Sequence, residues 1–187
     1  MFLPPGFSVA SNGQIYSSDG RGPYPFSEAS FFFGRRFFAW KGLTIPSGQK
    51  ILFKFTVGVD SLLRKLVLTL DDGHAQLTLL QGGTPSGAFS DTINPSSTNW
   101  TEEVVPYATQ NSLEATPVGN PSVTGGTPKD IFRLKTANTA ANSNTVETGL
   151  TTELGLGVGE HFVLVENIGA GNVSGLLKFL WDEVPNN

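Results

Sequence analysis

The stretch KILFKFTV, residues 50–57, alternates: Ile51, Phe53, Phe55 and Val57 share one parity, and Lys50, Leu52, Lys54 and Thr56 share the other. A two-residue period is the mark of a half-buried strand. RKLVLTL and HAQLTLL, around residues 64–80, repeat the pattern, and DIFRLKTA and HFVLVENIGAGNVSGLLKFLWDEV add further strand-like runs. Turn residues punctuate all of them, in a chain of 187 residues with 22 Gly, 12 Pro and 14 Phe but only 15% charged residues. A helical chain of this size carries more Ala, Glu, Lys and Leu at a 3.6-residue period. About eight strands joined by Gly and Pro turns predict an all-β protein, a single β-sandwich of jelly-roll type. The length suits one domain with a core large enough to need no staples. The sandwich is expected over residues 28–187, and residues 1–27, rich in Pro, Gly and Ser, read as an extended N-terminal arm with apolar anchors at Phe2, Phe7 and Tyr16.

Several local readings follow. DDG at 71–73, between two alternating runs, predicts a β-hairpin. The final two strands are expected to form another, through Gly169, Gly171 and Gly175. The run from Asn138 to Glu160 reads as a long polar loop. GGTP occurs twice, at 82–85 and 125–128, and resembles a phosphate-cradling loop. A P-loop needs a Lys and then Ser or Thr at the head of a helix. Neither copy supplies them, so both are expected to be turns.

No constellation for catalysis stands out, and no catalytic, cofactor or metal residue is assigned. Zero Cys removes thiolate chemistry and disulfides together. His74 and His161 lack the spacing of zinc motifs, and GLGVGE at 155–160 is not a dinucleotide fingerprint. No G-x-S-x-G elbow occurs. The neighbouring carboxylates Asp182 and Glu183 fall on opposite sides of a strand, which suits neither acid nor base partnership. Trp100, in the loop-rich SSTNWTEE, is the candidate for an exposed sugar-stacking platform.

Charge is uneven. Residues 1–65 hold eight Lys or Arg against three Asp or Glu, and residues 66–187 hold four against thirteen. The net charge of −4 argues against a nucleic-acid partner, which calls for gathered positive charge. The two parts are expected to meet across a subunit boundary. No run approaches the roughly 20 apolar residues of a membrane-spanning helix, and the start MFLPPGFSVASNG lacks a signal-peptide pattern. A cytoplasmic origin, or release by lysis, is the expectation.

GLTIPSGQKILFKFTV, GGTPSGAF, GGTPKDIFRLKTANTA and FVLVENIGAGNVSGLLKFLWDE resemble a group of small structural proteins of tailed-bacteriophage virions. The resemblance runs over residues 36–183, and its most telling pieces are the Glu-Asn-Ile-Gly turn at 166–169 and Trp181-Asp182-Glu183. It implies a non-enzymatic virion protein, assembled in the host cytoplasm, that decorates or cements the capsid as a homo-oligomer, with a trimer as one arrangement. Its partners would be itself and the major capsid protein or another virion protein. The alternative is a receptor- or carbohydrate-binding module of a tail fibre. The arm is expected to dock on the shell or a neighbouring subunit. FFFGRRFF, residues 31–38, is expected to bury both strand faces: Phe31, Phe33 and Phe37 with Arg35 on one, and Phe32 and Phe38 with Arg36 on the other, one of them against another chain.

Overall fold

The structure, a computed structural model, describes residues 7–9, 15–17, 35–98, 108–136, 146–149 and 153–183. All of its regular elements are strands. In chain order they are β1 (Phe7–Val9), β2 (Ile15–Ser17), β3 (Arg36–Ile45), β4 (Lys50–Val57), β5 (Ser61–Asp72), β6 (His74–Gln81), β7 (Thr84–Pro85) and β8 (Asp91–Ile93). There follow β9 (Ser96–Ser97), β10 (Ser112–Ala115), β11 (Val123–Thr124), β12 (Thr127–Lys135), β13 (Val146–Gly149), β14 (Leu154–Leu156), β15 (Gly159–Asn167) and β16 (Val173–Glu183).

Two large antiparallel sheets form a sandwich. One runs β13-β5-β16-β3-β9, with β14 also paired to β5; the other runs β12-β6-β15-β4-β10-β8. β1 and β2 pair with each other, with Ser8 opposite Tyr16. Between the large sheets lies one apolar cluster fed by both. Phe53 and Phe55 of β4 meet Phe179 of β16 at ring-centroid distances of 5.9 and 6.3 Å, and Phe55 meets Trp181 edge-on at 5.0 Å. These contacts cross from sheet to sheet, so the alternation of KILFKFTV and LLKFLWDE sets the inner faces.

The DDG segment is not a hairpin. β5 pairs with β16 and β13, while β6 pairs with β15 and β12, so the chain changes sheets at Asp72-Gly73. Gly73 sits at φ +101, and Thr136 clasps the corner: its Oγ1 accepts from Gly73 N at 2.9 Å, and its N–H donates to Gly73 O at 3.0 Å. A tight turn between alternating runs looks the same in sequence whether it stays within one sheet or crosses to the facing one. The long-range partners decide. The step from β15 to β16 crosses in the same way, which corrects the second expected hairpin. The polar stretch after Asn138 also holds more structure than its composition suggests: β13 and β14 both pair along β5.

GGTP is a turn used twice, and the two copies meet. The β6–β12 ladder bends at Gly82-Gly83 and Gly125-Gly126 and continues as the short β7–β11 pair. Gly83 lies at φ +99, and a Cβ there would stand 2.6 Å from Gly126 N. The bent ribbon belongs to a second apolar cluster on the outer face of the β15 sheet, where Leu52, Leu80 and Phe162 pack with Phe89 and Val123. Leu52, on the polar parity of KILFKFTV, is fully buried for this reason.

Candidate functional site

The other outer face, on the β16 sheet, has no comparable cover among the described residues. Register places Phe38 beside Leu180 and Trp40 beside Lys178. On the far side of β16, Lys65 lies opposite Leu180 and Val67 opposite Lys178. Leu63 is opposite Trp181, so Arg64 is an extra residue between Leu63 and Lys65. This β-bulge leaves both cations off the core while Leu63 and Leu66 stay buried. Phe38, Val67 and Leu180 are half-buried, and Trp40 is 58% exposed. An outer sheet face normally reads polar. Here three central strands present apolar side chains flanked by ammonium groups.

The end of this face is braced by Asp182, whose carboxylate is fully buried. Arg36 Nε donates to Oδ1 at 2.7 Å and Nη2 to Oδ2 at 3.2 Å, and Arg64 Nε donates to Oδ2 as well. Arg64 also pairs with Glu153. Charge-assisted forks of this kind hold strand ends in register. Lys65 and Lys178, by contrast, have no carboxylate within ion-pair distance among the described residues.

Glu183, next along, faces a different set of groups. It accepts from the Thr109 hydroxyl, from Gln110 N at 3.2 Å and from Trp181 Nε1 at 3.4 Å. Asp182 and Glu183 therefore serve separate structural bonds, and neither faces the other as an acid–base pair. His161 is buried, its Nε2 3.0 Å from Gly157 O. Among the described residues no three His, Asp or Glu side chains gather as a metal site.

A shallow concavity of about 210 Å³ opens between Phe38, Trp40, Val67, Lys178 and Leu180. Another, of about 190 Å³, lies beside His161, Gln81 and Lys129. Small-molecule sites usually enclose roughly 300–1,000 Å³. Both fall below that range. The first has the scale of a socket for a side chain.

The expected interface residues divide. Phe37 is in the core, stacked on Trp181 at 5.9 Å, while Phe38 and Arg36 lie on the outer face, as the strand period requires. Arg36 finds its partner in Asp182 of the same chain, where a subunit boundary was the expected source. Arg35 precedes β3, and its carbonyl accepts from Glu183 N at 3.0 Å. Phe31, Phe32 and Phe33, the arm anchor Phe2 and the platform candidate Trp100 lie outside the described residues. Phe7 and Tyr16 are in β1 and β2.

The uneven charge, too, finds partners within the chain. Lys50 meets Glu166 at 2.9 Å, Lys54 meets Glu114 at 2.7 Å, and Lys41 meets Asp91. Lys50 and Lys54 find their carboxylates directly opposite on antiparallel neighbours, and Lys41 on β3 reaches Asp91 of β8 in the other sheet, so early cations meet late carboxylates in one subunit. Sequence reasoning placed Phe38 on this face and counted Trp40 among aromatics able to stack on a sugar, but did not single out Lys65, Val67, Lys178 or Leu180 as site residues. The available signal was a run apolar at both parities: Leu177, Phe179 and Trp181 inward, and Leu176 and Leu180 outward. No protein-family model, no curated protein and no solved structure matches the chain.

Proposed function

We propose that the chain is a non-enzymatic structural protein of a tailed-bacteriophage virion, which decorates or cements the capsid through protein–protein contacts. The observation that carries this reading is the outer face around Trp40, apolar on three adjacent strands and half-buried except at Trp40, which is largely exposed. Uncovered apolar surface of this kind marks interaction sites. The order of the long strands is in keeping with it. β3, β16, β5 and β13 in one sheet, and β4, β15, β6 and β12 in the other, follow the order of a double Greek-key jelly roll. Viral capsid and lectin domains use that architecture, although architecture alone assigns no function.

The residues around Trp40 suit protein better than sugar. A sugar site needs acceptors and donors beside its aromatic platform, whereas Phe38, Val67 and Leu180 offer neither and the two lysines only donate. The mechanism is mechanical: a protein that binds the assembled shell and not its separated subunits stabilises the shell by mass action. The test is whether virions of the encoding phage carry the protein. Mass spectrometry of purified particles is expected to find it in fixed ratio to the major capsid protein, and particles lacking it are expected to lose DNA at a lower temperature. Its absence from purified particles would overturn the reading.

A further inference from the structure

We infer that the Trp40 face receives a segment of a different protein that carries one bulky apolar side chain flanked by carboxylates. This rests on the reading of that face as the contact surface and names the chemistry of its partner.

Charge complementarity selects the occupant. The carboxylate at the end of the face, Asp182, is already engaged by Arg36 and Arg64. Lys178 lies in register between Trp40 and Val67, and Lys65 lies beside Leu180; neither has a carboxylate partner among the described residues. An ammonium group beside apolar surface is best met by a carboxylate from the other side, which adds orientation and association rate. A second copy docking by the same face in two-fold symmetry would set this lysine-bearing surface against itself. Like charges disfavour that contact. The concavity of about 210 Å³ gives the apolar side chain its place, with Trp40 as the wall that loses most water. Interface energy concentrates on such aromatic anchors in small pockets.

The test uses the full chain and two fluorescein-labelled peptides, Asp-Glu-Leu-Phe-Leu-Glu-Asp and its counterpart with lysine at the four acidic positions, followed by anisotropy. The wild type is expected to bind the acidic peptide about ten-fold or more tightly than the basic one. Trp40→Ala is expected to weaken the acidic peptide about ten-fold. The double variant Lys65→Glu, Lys178→Glu is expected to reverse the preference while leaving the urea midpoint near that of the wild type. If Trp40→Ala does not fold, the charge reversal decides. Equal binding of both peptides by the wild type, or acidic-peptide binding indifferent to the charge reversal, overturns the inference. So does a sedimentation mass that falls from oligomer to monomer in Trp40→Ala, since the occupant is then a second copy. Failure here is separable from failure of the virion reading. Shells that still bind a charge-reversed protein remove only the partner chemistry, whereas a retained peptide preference in a protein absent from virions removes only the virion reading.

Discussion

Asp182 holds two arginines from strands far away in sequence, Arg36 on β3 and Arg64 on β5. Its removal takes from both arginines the buried carboxylate that offset their desolvation and leaves Arg64 with the more exposed Glu153. Breaking a buried pair in this way costs about 3–5 kcal/mol. Lys41 and Asp91 make a pair of the same type, but their side chains are 34% and 41% exposed, and solvent screening leaves such a pair worth about 0–1 kcal/mol. In urea, Asp182→Ala is therefore expected to move the unfolding midpoint several times further than Lys41→Ala, with the slope unchanged in both. Similar shifts for the two would show that burial does not set the ranking. Gly175 is a second sensitive position, because a Cβ there would lie 2.1 Å from the Thr69 carbonyl oxygen, at a break in the β16–β5 register. Gly175→Ala forces the strands apart and is expected to lose about 1–3 kcal/mol or more in the same experiment. A midpoint equal to that of the wild type would contradict the close approach. None of these partners was legible in the sequence. Arg36 showed that a buried arginine needs a carboxylate, and only strand pairing shows that it comes from 146 residues along the chain.

The strands themselves were legible wherever one face is buried and the other wet, as in KILFKFTV. The exceptions have one cause, a neighbour supplied from elsewhere. Leu52 and Phe162 sit on an outer parity, yet the bent β7–β11 ribbon and Phe89 cover them, with Phe89 stacked on Phe162 at 6.4 Å and Lys54 Nζ 4.7 Å from the Phe89 ring centre. Ser86 and Ser122 tie the ribbon together, Ser86 N donating to Ser122 O at 2.8 Å and Ser122 N to Ser86 Oγ at 2.9 Å. The ribbon is attached by its glycine bends, by this small cluster and by the backbone bridge from Gly119 to Lys50 at the start of β4, whereas β4 and β15 are held by the main core. Gly83→Val introduces a side chain where φ is +99 and where Gly126 leaves no room. Hydrogen exchange is expected to quicken across residues 84–87 and 122–124 while β4 and β15 keep their protection. Equal acceleration in all four segments would mean that the ribbon and the sandwich open as one unit.

At the scale of the molecule, the class of fold was readable from composition and period, and the assignment of strands to sheets was not. DDG and ENIGAG each look like the turn of a hairpin, and each carries the chain from one sheet to the other. The unusual outer face was readable only in part: Phe38 falls on it by alternation, but Trp40, Val67 and Leu180 become one surface only after β3, β16 and β5 are set side by side. That surface is the centre of the functional proposal. The most direct measurement is co-sedimentation of the full-length protein with purified shells that lack it, comparing the wild type with Trp40→Ala, Leu180→Ser and their combination, each first confirmed folded by circular dichroism. The single variants are expected to weaken shell binding about ten-fold each and the combination to abolish it, with the urea midpoint nearly unchanged. Undiminished binding by the folded double variant would contradict the assignment of this face as the surface through which the protein docks.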